Sequence, residues 1–140
     1  MEQKYIEGDV VMYDNKIMVV KEPRDGSHFD LSCPKEGLVY CFVGVDEIKP
    51  VELTPEIILK NGWKKEAMSR GTQNRHWVYT KPDIKEYGYF PIYIEKGIGN
   101  EFDVYPFTDN HDCKQIAYIK YVHQLQNLLF GLGLNSEMEV

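Results

Sequence analysis

From Ile116 to Leu134 the chain reads IAYIKYVHQLQNLLFGLGL, and its apolar positions return at helical spacing. Tyr118, Tyr121, Val122, Leu125, Leu128, Leu129 and Leu132 share one broad face at about 100° per residue, so the pattern predicts a long amphipathic helix. Fully burying side chains of this kind is worth roughly 1.5–3 kcal/mol each, which makes this helix the expected centre of the core. The far side carries a second ridge of Ile119, His123, Gln126 and Phe130, too apolar for a solvated face. A second layer, a neighbouring domain or a second copy of the chain is expected to cover it. His123 and Gln126 would be hydrogen-bonded there as interface or buried polar groups. Asp112 is the expected N-cap, and Gly131 and Gly133 permit the left-handed turn that closes a helix.

The first third of the chain has a different rhythm. Tyr5–Tyr13 and Ile17–Lys21 flank Asp14-Asn15-Lys16, which predicts a hairpin. Phe29–Cys33 and Leu38–Val45 are further strand candidates, so residues 1–50 are expected to form a small SH3-like β-barrel. Next come Thr54 as a cap, Pro55 at the first helical position and Glu56 at the positive end of the dipole, with a stop at Asn61-Gly62. These predict a two-turn helix over Thr54–Asn61. Trp63–Met68, His76–Thr80, Tyr89–Glu95 and Glu101–Phe107 then predict a four-stranded antiparallel meander, with Pro91 and Pro106 at strand ends or edges. The expectation is an α+β chain in two subdomains. A barrel occupies residues 1–50; a short helix, an antiparallel sheet and the long C-terminal helix packed on that sheet occupy residues 51–140.

Composition narrows the function classes. The chain has 140 residues, 43% of them hydrophobic, and a formal net charge of −6. General nucleic-acid binding is disfavoured, because it calls for a basic stripe that releases counterions. No apolar run reaches the roughly 18–20 residues of a membrane span, and MEQKYIEGD lacks the build of a secretory leader. Cys33, Cys41 and Cys113 have no CxxC spacing, and three free thiols fit a reducing cytoplasm.

Two stretches resemble a known group of sequences. IKPVELTPEIILKNGW (Ile48–Trp63) and YIKYVHQLQNLLFGLG (Tyr118–Gly133) are similar to uncharacterised proteins of Bacteroidetes phages, prophages and mobile elements, in which these pieces occur in this order around a β-rich stretch. The match is specific at Pro50, Leu53, Thr54 and Gly62, and again along Val122-His123-Gln124-Leu125-Gln126-Asn127-Leu128. The resemblance implies a setting, an accessory protein inside a bacterial host cytoplasm, and carries over no activity or site. Loops 22–37 and 69–75 lie outside it.

No catalytic signature stands out: there is no G-x-S-x-G, H-E-x-x-H, P-loop or dinucleotide-binding glycine pattern. Gly97-Ile98-Gly99-Asn100 reads as a turn between strands. His111, Asp112 and Cys113 are adjacent, but a metal site needs ligands from elsewhere, so no metal or cofactor is expected. The densest polar cluster is Arg70-Gly71-Thr72-Gln73-Asn74-Arg75-His76-Trp77. Guanidinium forks bind phosphate or carboxylate and an aromatic face stacks on a base. Arg70, Arg75, Gln73, Asn74, Trp77 and Tyr79 are therefore the candidate ligand-binding residues, against the plain reading of a hairpin loop followed by a core tryptophan. The expected function is non-catalytic: binding and sequestering a small nucleotide-like or phosphorylated ligand, in a setting of host-defence antagonism. The alternatives are a small hydrolase or nuclease acting on such a ligand, or a protein–protein interaction module that inhibits a host protein.

Overall fold

A computed structural model of the chain describes residues 5–70, 74–81, 92–106 and 115–140. The chain is α+β, with two antiparallel five-stranded sheets, two α-helices and one 3-10 turn (Val45–Glu47) among the described residues. It divides into two compact units. The first runs to Glu52 and resumes at Tyr121; the second is the intervening Leu53–Lys120, joined by Glu139. The second unit is therefore inserted into the first.

The first sheet contains β1 (Val10–Tyr13), β2 (Lys16–Asp25), β3 (His28–Cys33), β4 (Leu38–Gly44) and β5 (Lys49–Pro50), in the order β4-β3-β2-β1-β5. Asp14 and Asn15 alone join β1 to β2, at φ of 52° and 57°. Left-handed backbone at both central positions is what a type I′ hairpin requires, and Asp and Asn tolerate it best among residues with a side chain. β4 and β5 are the sheet's edges, and among the described residues no ladder joins them. Val11, Met18, Val20, Phe29, Leu31, Cys33, Val43 and Ile48 form the core with Tyr5. A register shift separates Phe29 from Leu31 in the β3–β4 ladder. Opposite it Phe42 sits at φ 58°, and its N–H donates to Asp30 Oδ1 at 2.9 Å.

The C-terminal helix, α2 (Val122–Gly131), belongs to this first unit and packs on β1. It is shorter than the periodicity predicts. Residues 116–121 share the β-branched and aromatic composition of strands, and six residues satisfy either period. The ladder decides: Ala117, Tyr118 and Ile119 pair with Val104, Asp103 and Phe102 as a strand of the second unit. The helix starts at Tyr121, whose N–H donates to Gln124 Oε1 at 3.0 Å. The Asp112 cap expected at the other start lies outside the described residues. Val122, Leu125 and Leu129 are buried. At the far end Gly133 is left-handed (φ 74°). Leu134 N–H reaches Leu129 O at 2.9 Å and Gly133 N–H reaches Phe130 O at 3.0 Å, the paired bonds of a Schellman motif.

In the second unit, α1 (Pro55–Lys60) follows its local signals closely. Thr54 Oγ1 accepts from Ile57 N–H at 3.2 Å, Pro55 opens the helix, and Gly62 at φ 89° follows its end. The sheet contains β6 (Lys64–Arg70), β7 (Asn74–Thr80), β8 (Ile92–Lys96), β9 (Phe102–Pro106) and β10 (Ala117–Ile119), in the order β10-β9-β8-β7-β6. It is a meander, as its spacing predicts, with a fifth strand taken from the stretch read as helix. Pro106 stands at the end of the β8–β9 ladder, opposite Ile92, where a residue without an N–H disturbs pairing least. Tyr89 and Pro91, which bear on the start of β8, lie outside the described residues. Ile58, Trp63, Val78, Ile92, Tyr93, Ile94, Phe102, Val104 and Ile119 are buried in this unit.

The helix contrast gives a stability test. Leu125 is fully buried and Phe130 is 68% exposed. Leu125→Ala is expected to cost about 2–5 kcal/mol in urea melts, and Phe130→Ala less than about 0.5 kcal/mol. Similar small losses for both would show that α2 is not anchored by its apolar face.

Candidate functional site

Two places in the described structure bring polar chemistry together. The first is the β6–β7 hairpin. Its ladder runs Lys65↔Tyr79, Ala67↔Trp77, Ser69↔Arg75 and Arg70↔Asn74. Arg75, Trp77 and Tyr79 therefore occupy one alternating set of positions, while Arg70 is in register with the other set through Asn74. The side chains of Arg70, Asn74 and Arg75, and all of Gln73, lie outside the described residues. The two rings differ sharply. Trp77 is 58% exposed, with Lys65 Nζ 5.3 Å from its ring centroid. Tyr79 is only 4% exposed, lies edge-on to Phe102 at 6.5 Å, and burial pushes its phenol pKa up. Only the indole can offer a face to a ligand; Tyr79 belongs to the core. The chain's remaining arginine, Arg24, is already committed. Its Nε and Nη2 lie 2.7 and 2.6 Å from Asp30 Oδ2, and these bonds hold the buried Asp30 carboxyl below the usual carboxylate range.

The second place is a cleft in the first unit, and it rests on Gln126. That side chain accepts from Val10 N–H at 2.8 Å and donates to Gly8 O at 2.9 Å. It thus acts as a strand partner for the segment entering β1. The segment is a tight turn: Asp9 N–H donates to Ile6 O at 3.1 Å, and Ile6 N–H donates to Asp9 Oδ2 at 2.8 Å. Gly8 is left-handed (φ 94°) within the turn, where a side chain would be strained. Between this turn, Gln126, Asn127 and Phe130 of α2, and Ser136 of the tail is a cavity of about 280 Å³.

Asp9 is the unusual residue of this cleft. It is 1% exposed, and no ion pair reaches it among the described residues. Burial pushes its carboxyl pKa up to about 6, against the lowering effect of the Ile6 N–H. Behind it, Tyr5 lies edge-on to His123 at 5.2 Å, and His123 stacks on Tyr121 at 5.9 Å. Burial, reinforced by the Asp9 charge, takes the Tyr5 phenol to about 12, and burial lowers the His123 imidazole pKa. Tyr5 Oη and His123 Nδ1 are buried without a hydrogen-bond partner among the described residues.

The ridge read from the sequence is thus divided. Gln126 is buried and hydrogen-bonded to the segment entering β1. His123 is buried, but its Nδ1 lacks the expected bond. Ile119 is buried as a strand residue of the other unit, and Phe130 is exposed at the cleft rim. The condition for a covering second copy, a ridge left open, applies to Phe130 alone. Asp9 and Tyr5 were not legible as site residues. Their only local mark is a glycine and an acid ahead of an apolar run; Tyr5 is buried against the first sheet's core and His123, and the Gln126 that bridges the turn holding Asp9 lies more than a hundred positions away. His111, Asp112 and Cys113 lie outside the described residues. Among those described, no group of three or more His, Cys, Asp or Glu residues is placed to hold a metal ion.

The raised carboxyl makes stability depend on pH with a definite sign. Asp9 has a folded value of about 6 against an ordinary 3.8, so folding favours its protonated form. Its favourable contribution is fully present below about pH 3.8 and is lost as pH rises through about 6. Asp9→Asn keeps an acceptor for Ile6 N–H without the charge. It is expected to gain on the order of 2–3 kcal/mol over the native chain between pH 4 and pH 7. A gap between the two urea midpoints that stays constant with pH would show that Asp9 is not a desolvated carboxylate.

Comparison with protein-family models, with curated proteins and with solved structures returned no match.

Proposed function

We propose that the protein is a non-catalytic accessory protein that binds and sequesters a small anionic, nucleotide-like ligand at the β6–β7 hairpin. The observation that supports this most is the indole of Trp77, 58% exposed with a lysine ammonium 5.3 Å from its centroid. A tryptophan held in water on a strand is an available stacking platform, and base–aromatic stacking is sequence-tolerant and worth about 1–3 kcal/mol. Lys65 beside the ring supplies a positive charge for a phosphate, and Arg75 stands two residues along the same alternating set. A protein with a net charge of −6 needs such a local cationic patch to hold an anion.

The resemblance of the YVHQLQNL helix to phage and mobile-element proteins supplies the setting of this reading. In that setting the protein acts in a bacterial cytoplasm on a signal of the host, and the first sheet is a small SH3-like barrel. Binding without turnover is preferred over hydrolysis because the sequence carries no catalytic signature.

Calorimetry against linear and cyclic nucleotides, followed by denaturation and recovery of the ligand, tests the proposal. At least one nucleotide is expected to bind and to be recovered intact. Trp77→Ala should weaken binding about 5-fold or more, and Arg75→Ala about 10-fold or more. Altered products would favour the hydrolase reading. No binding, or binding indifferent to both substitutions, would overturn the proposal and leave protein–protein interaction as the better account.

A further inference from the structure

We propose that the outer edge of β4 is a docking site for a second copy of this chain, whose own β4 runs antiparallel to it across a two-fold axis. An edge strand presents a row of unpaired N–H and C=O groups. Proteins guard such edges by keeping them short or by placing charge or proline on them. Among the described residues, three of the four sheet edges are guarded in this way. β5 is two residues long and consists of Lys49 and Pro50, β10 is three residues long, and β6 carries Lys64, Lys65, Glu66 and Arg70. β4 is seven residues long, LVYCFVG, with no charge and no proline. Leu38, Val39 and Phe42 are 52%, 46% and 58% exposed, and Cys41 is exposed with them. Leu38 and Tyr40 are in register with the buried Cys33 and Leu31, so the core face runs on to this edge and an added strand would cover it.

Charge identifies the occupant. The turn before β4 carries Lys35, exposed and in no ion pair among the described residues, while its neighbour Glu36 is matched by Lys16 at 2.9 Å. The turn after β4 carries Asp46 and Glu47, both exposed and likewise in no ion pair among the described residues. The strand is thus an uncharged run between a basic start and an acidic end. A second β4 in antiparallel orientation meets it start to end. With the axis at Tyr40 or Cys41, near the strand's middle, Lys35 falls opposite position 45 or 47 of the second copy. Its ammonium there is within reach of Asp46 and Glu47, and the symmetry makes the contact twice. A parallel pairing would set like ends together, which is unfavourable. Two chains of net charge −6 repel at long range, so their association calls for an uncharged seam with attractive ends. The bulge that places Cys41 and Phe42 both opposite Asp30 bounds the flat run, and the Phe42 ring is stacked on His28 at 4.0 Å. Leu38, Val39 and Tyr40 are the side chains left to pack across the axis.

The test is sedimentation velocity of the full-length protein over a concentration series reaching about 500 µM. A reversible dimer that grows with concentration is expected. Val39→Lys, at an exposed position that does not threaten folding, sets like charges beside the axis and should raise the dimer dissociation constant at least about 10-fold. Lys35→Glu, in the exposed turn, should raise it about 3-fold or more. Adding Asp46→Lys and Glu47→Lys to Lys35→Glu reverses both ends of the strand and should restore association. A monomer throughout the series overturns the proposal, and would leave the edge to an extended segment of a different protein. A dimer indifferent to Val39→Lys overturns it too, because the seam then lies elsewhere. So does a reversed variant that keeps the native urea midpoint and stays dissociated.

Discussion

The carboxamide of Gln126 is the contact on which the first unit's special features depend. It satisfies Val10 N–H and Gly8 O, which β2 leaves unbonded although it pairs with the same segment, from a helix 116 and 118 residues away in sequence. Leaving such groups buried and unpaired costs about 1–3 kcal/mol each. The amide therefore fixes the register of α2 along the entering strand. That register decides which helix residues line the cleft and which press into the core: Asn127 and Phe130 face the cavity, while Leu125 and Leu129 are buried. It also holds down the turn that removes Asp9 from water.

Two buried aspartates show how much the neighbouring group matters. Asp30 and Asp9 are similarly inaccessible, at 5% and 1% exposure. Asp30 meets the Arg24 guanidinium and the Phe42 N–H, and its carboxyl is pulled below the ordinary range. Asp9 meets one neutral N–H, and burial wins. The first is a finished structural pair that holds a bulged, left-handed position in the β3–β4 ladder. The second has no cation beside it among the described residues, so burial favours its neutral, protonated form.

The sequence makes the fold legible where the determinants are local. Thr54, Pro55 and Asn61-Gly62 define α1 within a residue or so, and Asp14-Asn15 specifies its hairpin, because caps and tight turns are decided by a few adjacent side chains. It fails where two local answers are equally good. Ile116–Tyr121 has the apolar spacing of a helix and the composition of a strand, and only the β9 ladder, a partner about fifteen positions away, separates them. The same limit applied to sites. Trp77 and Tyr79 are equivalent by alternation, yet one is covered by Phe102 and its neighbours and the other is left in water. Asp9 falls inside the predicted Tyr5–Tyr13 strand, and nothing in that stretch marks it as a carboxyl that folding buries.

The insertion of the second unit has a consequence for how the chain holds itself together. Both margins of the junction are hydrogen-bonded: Val122 N–H to Val51 O at 2.8 Å in the first unit, and Leu53 N–H to Lys120 O at 2.9 Å in the second. For the first unit, residues 53–120 are a loop that must be closed before α2 can reach β1. With that stretch unfolded, closure carries an entropic penalty on the order of 3–4 kcal/mol, growing as the logarithm of loop length. Once the inserted sheet has formed and its ends are bonded, the same loop behaves as a turn of a few residues and most of the penalty disappears. The inserted unit thus supports the first without a side-chain contact being required. Anything that loosens it returns flexible chain between Glu52 and Tyr121, and is felt at the Gln126 bridge as lost cooperativity.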